Sequence, residues 1–445
     1  MSKKINQLIK KVIQGSPFFI SNTATFIPYL LYLSVTNSTQ WDSFLPAILF
    51  YTFRVTGVFL LKGISSSINN DRLLRVSFIL GMIGSLLGAG GFFYFPMYAL
   101  SGIFLGISAS WVMPLSIHVR YNEQEQGMRP ITKDTYLSTL LLLLIVGGVL
   151  SIDGNIHVLL LMLIYSLLYG FACISNKASS LEKLPIAEVV RVTPEIYRFI
   201  VYFIVLLAVQ AGRLLFNTQI LLLGILVFSM AFCLFLFSKS LEKTTIPKKL
   251  AVFSFLVGMI TNFLIFFCVI FISGTQGYEN MAYLLYTPYV GGIILANIYA
   301  NKVFKRIPKE KTTAFLLMGM IISFLFFLPE YTTSLAIFGI SFTRSLAGIW
   351  LNKSYYVLED IPKKQRVITK YVLQNQGNVV QQTLLISWLF IVTQFSENKL
   401  TALLNVHVMT DEKYHLLRQV KYGSVLFFIL LLVSIYQFGE KKQSD

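Results

Sequence analysis

Apolar runs of about twenty residues recur along the whole chain, and the short polar connections between them alternate between basic and almost uncharged. A run of that length is long enough to cross a bilayer as a helix. A chain built from such runs leaves no room for a separate soluble domain in its 445 residues. Composition agrees, with 55% hydrophobic and only 13% charged residues. Soluble domains carry about 25% charged residues, enough to cover their cores with polar surface. The net charge of +17 therefore has to be explained inside a membrane protein, and nucleic-acid binding is not expected.

The apolar runs predict fourteen transmembrane helices at 17–35, 43–64, 74–95, 97–118, 135–152, 157–175, 197–214, 217–238, 252–272, 282–300, 312–329, 332–351, 371–395 and 421–438. Basic residues test the count independently, because Lys and Arg concentrate on the cytoplasmic side. With both termini inside, 30 of the 37 Lys and Arg residues fall on inner segments. A miscount by one helix would reverse every later loop and destroy the alternation. The charge is thus an orientation signal and an attraction to anionic lipid. Residues 1–16 carry Lys3, Lys4, Lys10 and Lys11, with Ile5, Leu8, Ile9, Val12 and Ile13 at helical spacing. No small-residue cleavage site follows, so this segment is expected to be a basic amphipathic helix on the inner leaflet. Cys173, Cys233 and Cys268 lie in apolar runs without paired spacing and read as packing residues.

The chain repeats itself. Gly81-Met-Ile-Gly-Ser85 returns as Gly319-Met-Ile-Ile-Ser323, Gly106-Ile-Ser108 as Gly339-Ile-Ser341, and Gly57 as Gly292, at offsets of 238, 233 and 235. Three matches in order, in equivalent helices, make helices 1–6 and 9–14 two related halves with helices 7 and 8 between them. Repeated halves of this kind belong to transporters. The expected organisation is a cytoplasmic N-terminus 1–16, a six-helix half 17–196, linker helices and loop 197–250, a second half 251–438 and a tail 439–445.

Four stretches resemble the major facilitator superfamily, specifically its fourteen-helix drug:proton antiporter branch. The segment Gly63 to Arg75, with Asp71, Arg72 and Arg75, is similar to the family's basic loop between helices 2 and 3. Asn301-Lys302-Val-Phe-Lys305-Arg306 is its partner in the second half. Gly147-Gly148 with Asp153-Gly154-Asn155 resembles the helix 5–6 hairpin, and Gly277-Tyr278 with Tyr286 to Gly292 the segment between helices 9 and 10. The long loop 396–420, read as an outer amphipathic hairpin, is also typical of the branch. The resemblance implies an all-α major-facilitator-type fold arranged 6+2+6, in the plasma membrane with both termini cytoplasmic. It implies a monomeric secondary transporter, without enzymatic activity or cofactor, whose partners are the bilayer and a small-molecule substrate. It also implies export of an amphipathic drug or metabolite by alternating access, with Asp71, Arg72, Arg75, Lys302, Lys305 and Arg306 in loops that govern the conformational change. Two other readings stay open: a proton-independent carrier or lipid flippase for an anionic compound, and a non-transporting scaffold derived from a carrier.

The chain departs from the branch where protons are handled. Helix 1 reads Ser21-Asn22-Thr23-Ala24-Thr25-Phe26, without an acidic residue, and none of the twenty Asp and Glu falls near the bilayer midplane. His118, His157, His407 and His415 sit at helix ends or in the outer loop and do not replace it. The buried charges are arginines instead. Arg54 lies near the middle of helix 2 and Arg344 near the middle of helix 12, while Arg213 is close to the outer end of helix 7. An arginine at the midplane costs at least about 2.5–3.5 kcal/mol, so it faces a wet cavity or bonds to carbonyls. Arg54 and Arg344 are candidates for a two-sided clamp on an anionic or carbonyl-bearing substrate, using the guanidinium fork. The alternative is that each ties neighbouring helices through backbone oxygens. In helix 13, Gln374, Asn378 and Gln381 share one helical face, flanked by Asn375 and Gln382. Such a stripe is expected to line a cavity or to bond another helix. Asn22 and Thr23 in helix 1, Thr261 and Asn262 in helix 9, and the aromatic rings of Trp111 and Tyr289 complete the candidate lining. No phosphate-binding loop, metal-ligand cluster or nucleophile–base pair is present in the sequence.

Overall fold

The computed structural model describes residues 2–35 except 26, 41–126 except 66 and 67, 156–176, 194–214, 246–394 except 278 and 279, and 410–441, with isolated positions at 142, 149 and 219. Secondary structure among them is helical. In chain order the helices are α1 (Ser2–Thr23), α2 (Ile27–Ser34), α3 (Leu45–Ile64), α4 (Asn70–Gly90), α5 (Pro96–Glu125), α6 (Ile156–Ser175) and α7 (Pro194–Leu214). They continue with α8 (Lys248–Gln276), α9 (Thr287–Arg306), α10 (Thr312–Leu325), α11 (Thr333–Tyr356), α12 (Arg366–Gln394) and α13 (Asp411–Lys441). Seven spans among the described residues are long and apolar enough to cross a membrane: α3, α4, α5, α6, α8, α11 with the turn before it, and most of α13. The spans expected at 135–152 and 217–238 lie outside the described residues.

Three boundaries differ from expectation. The amphipathic segment 1–16 is not separate from the first membrane helix: α1 runs through it to Thr23, with Pro17 inside. The break comes later, between Thr23 and Ile27, and Pro28 follows at the second position of α2. Proline disfavours helical geometry in the residue before it and is tolerated in the first turn, so a new helix starts there. Helix 1 of the expected set is therefore two pieces. The loop 396–420 is helical from Asp411 onward, as the first part of α13. The basic "loops" are helix ends: Asp71, Arg72 and Arg75 lie in the first turns of α4, and Lys302, Lys305 and Arg306 in the last turns of α9. Asn69 caps α4, accepting a hydrogen bond from the Asp71 amide at 3.3 Å.

The chain forms two compact units, one of Met1–Leu215 with Ile361–Val372, the other of Phe216–Asp360 with Leu373–Asp445. In the first, α5 packs between α3 and α4, α6 lies on α4 and α1, and α7 lies on α3. Small residues set the spacing. A Cβ on Gly102 or Gly106 of α5 would stand 2.6 and 2.7 Å from the Pro46 and Phe50 carbonyl oxygens of α3, so the two backbones touch. Ser101 donates to the Gly84 carbonyl at 2.6 Å and Ser108 to that of Ser77 at 2.7 Å, pinning α5 to α4. In the second unit α11 packs on α9, α10 and α8, and α13 on α10 and the end of α8. Gly292 of α9 abuts the Phe338 carbonyl of α11, where a Cβ would stand 2.7 Å away. The sequence repeat has a local counterpart. Ser85 donates to the Gly81 carbonyl at 2.8 Å, and Ser323 to that of Gly319 at 2.7 Å.

Candidate solute-binding site

The second unit holds the best-defined polar group. Arg344 sits near the middle of α11, on the face that carries the buried residues Ile337, Ile340, Leu351 and Tyr355. The opposite side of that helix carries Leu335, which is 56% exposed. Arg344 therefore points into the protein. Its Nε donates to Thr261 Oγ1 of α8 at 2.8 Å. Thr261 passes its own proton back to the Val257 carbonyl at 2.6 Å. The assignment is unambiguous, because a guanidinium only donates and a hydroxyl has one proton to give. Among the described residues no carboxylate pairs with Arg344, and its Nη1 and Nη2 make no hydrogen bond. The fork is held at its inner nitrogen, and its outer edge is left available for an oxyanion.

Thr261 and the buried Asn262 close the last regular turn of α8 before Phe263–Phe267, which forms a π-helical turn. Turns of that kind widen a helix and recur at functional sites. One turn earlier, α8 crosses α12 at contact distance. A Cβ on Gly258 would fall 1.9 Å from the Gln374 carbonyl oxygen, and one on Gly377 would fall 2.1 Å from that of Phe255. The polar stripe of α12 starts at this crossing. Asn378 is 8% exposed and donates through Nδ2 to Asn375 Oδ1 at 2.7 Å. Its own Oδ1 is buried with no hydrogen-bond partner among the described residues. Gln381 is buried and Gln374 half-buried, and neither side chain hydrogen-bonds a described residue.

In the first unit, described by itself, Arg54 is half-buried on α3. Its guanidinium lies 4.7 Å from the ring centroid of the buried Tyr51, one turn back, and its buried Nε has no hydrogen-bond partner among the described residues. Stacking on an aromatic face partly offsets the loss of hydration. As with Arg344, no carboxylate among the described residues pairs with it.

Several other candidates turn out to be occupied by the fold. Asn22 donates to the Phe18 carbonyl at 2.7 Å and Thr23 to that of Phe19 at 2.9 Å. Both bond back to carbonyls one turn earlier in their own helix. Trp111 is 6% exposed and its Nε1 donates to the Gly57 carbonyl at 2.9 Å, tying α5 to α3. Tyr289 keeps a half-buried ring, and its carbonyl accepts from Ser341 at 2.6 Å. Arg213 lies in α7, its side chain outside the described residues. Groups of three or more His, Cys, Asp or Glu with metal-binding geometry are absent among the described residues.

A pair of buried cations has no counterpart in the sequence reading, one in the expected loop 396–420 and the other at the start of the expected helix 421–438. Lys413 and Lys421, two turns apart on α13, are 2% and 0% exposed. Lys421 Nζ donates to the Leu328 carbonyl at 2.9 Å, just beyond the end of α10. Lys413 packs over Gly274 of α8. Glu330 accepts from the Tyr414 hydroxyl and lies 3.3 Å from Arg418 Nε. The i, i+4, i+8 spacing of Lys413, Leu417 and Lys421 was the available signal.

No family model matches the chain, and no curated protein matches it. Among solved structures it is similar to a double-tryptophan mutant of XylE, with TM-score 0.48, 12% identity and coverage of 98% of this chain and 99% of that one. It is also similar to the E. coli fucose:proton symporter FucP, with TM-score 0.48 and 11% identity over 97% of this chain and 98% of that one. A third is a bacterial homologue of the iron transporter ferroportin, with TM-score 0.47 and 11% identity over 97% and 98%.

Proposed function

We propose that this chain is a multi-pass membrane protein that works as a secondary transporter, carrying an amphipathic solute with an anionic group. The observation that carries the reading is Arg344, turned inward, fixed through Nε to Thr261, and without a carboxylate partner among the described residues. An intramembrane cation left without a counter-charge is costly, and a ligand anion is the partner it lacks. Arg54, stacked on Tyr51 and equally without an acid, supports the same chemistry within its own unit. The amide face of Asn378 and Gln381 supplies neutral hydrogen bonding. Seven apolar spans, the internal repeat and the major-facilitator-like motifs support a carrier working by alternating access. Outward transport and a place in the plasma membrane rest on that resemblance. The empty acidic midplane of the sequence favours drive by solute gradient or membrane potential over proton exchange.

Uptake or release of a fluorescent hydrophobic carboxylate by proteoliposomes tests this. Transport that survives collapse of the pH gradient and is lost in Arg344→Gln is expected. Strict proton dependence would contradict the proposed coupling. Unchanged transport in a well-expressed Arg344→Gln protein would remove the anion site.

A further inference from the structure

One turn beyond Arg344 on the same face of α11 stands Gly348. A Cβ built there meets no atom within 4 Å. On the same helix, by contrast, a Cβ at Gly339 would stand 2.7 Å from Ser323 Oγ. The position matters because of where it points. Arg344 and Gly348 are four residues apart, so they stack on one helical face. That face also carries Ile337, Ile340, Leu351 and Tyr355, all fully buried. Gly348 is itself half-buried, and the open space beside it lies on the helix face that carries the Arg344 guanidinium. A helix interior disfavours glycine by about 1 kcal/mol relative to alanine unless something needs the missing side chain. Here no packing contact needs it.

We propose that Gly348 forms the floor of the solute seat. The anionic group lies on the outer edge of Arg344, and the adjoining apolar atoms of the solute lie against the bare backbone at Gly348. This inference rests on the transporter reading above and adds a residue that sets the size of the accepted solute. The ligand class is a carboxylate or similar two-oxygen anion whose neighbouring carbon skeleton is bulky. Thr261 acts as a positioning residue, because its bond to Nε turns the two-nitrogen edge of the guanidinium away from α8.

The test uses the full-length protein in detergent and measures binding of a fluorescent aryl carboxylate and of its neutral amide. Gly348→Ala should weaken carboxylate binding about threefold, and Gly348→Phe about tenfold or more. Melting temperatures should stay close to native, because the added side chain enters empty space. If Gly348→Phe binds like native while Arg344→Gln does not, the seat is overturned and the anion site stands. If the native protein does not distinguish carboxylate from amide, both readings fall. A second measurement covers a Gly348→Phe protein that does not fold. Gly348→Cys should be labelled by a small water-soluble thiol reagent faster than the native cysteines, and the carboxylate probe should slow that labelling. Absence of labelling, or labelling that the probe does not slow, overturns the seat.

Discussion

Arg344 Nε donates to Thr261 Oγ1 at 2.8 Å, and Thr261 in turn donates to the Val257 carbonyl at 2.6 Å. This relay ties the charge of α11 to the backbone of α8 and decides which edge of the guanidinium stays free. Hydrogen bonds to charged groups contribute about 1.5–3 kcal/mol. Thr261→Val keeps the shape and removes the acceptor. It should weaken transport of an anionic probe and leave that of a neutral analogue unchanged, whereas Thr261→Ser should restore native selectivity. Paired initial-rate assays in proteoliposomes measure the ratio, and equal loss for both probes would assign Thr261 a structural role only.

The crossing of α8 and α12 has no room for a methyl group. Gly258→Ala places a carbon 1.9 Å from the Gln374 carbonyl oxygen, and Gly377→Ala places one 2.1 Å from that of Phe255. Backbone does not yield as a side-chain tip does, so each substitution should cost at least about 1–3 kcal/mol. Thermal unfolding in detergent should show a clear drop for either variant and none for Gly348→Ala.

Lys421 holds the Leu328 carbonyl from a fully buried position. Lys421→Met keeps most of the stem but leaves the carbonyl without its ammonium, at a cost of about 1–3 kcal/mol. Tyr414→Phe, in the more exposed cluster around Glu330, should stay near native. Comparing the two melting curves separates the buried contact from the surface pair.

Trp111 separates packing from solute contact. Trp111→Phe keeps a ring but loses the hydrogen bond to Gly57, so stability should fall by about 1 kcal/mol. Transport per folded molecule should not change. A large rise in the half-saturating concentration of an aromatic probe would return Trp111 to the solute site.

Much of the fold follows from local patterning. Runs of apolar residues predict helices at positions where α3, α6 and α8 are found within a few residues. Intramembrane arginine is costly enough that Arg344 had to point inward. Its partner is not legible in the sequence: Thr261 belongs to the same candidate set, yet nothing in the spacing joins two residues 83 positions apart. Asn22, Thr23 and Trp111 bond to backbone carbonyls, and a polar side chain has the same sequence signature whether it meets solute or backbone.

Hydrophobic length determines that this chain is helical, with spans long and apolar enough to cross a membrane, since this depends on composition along each segment. Tertiary packing alone decides that α8 and α12 touch at Gly258 and Gly377, that Lys421 is buried, and that the space beside Arg344 at Gly348 is empty. Those are questions of which atoms occupy a volume, and a volume is filled by residues far apart in the chain.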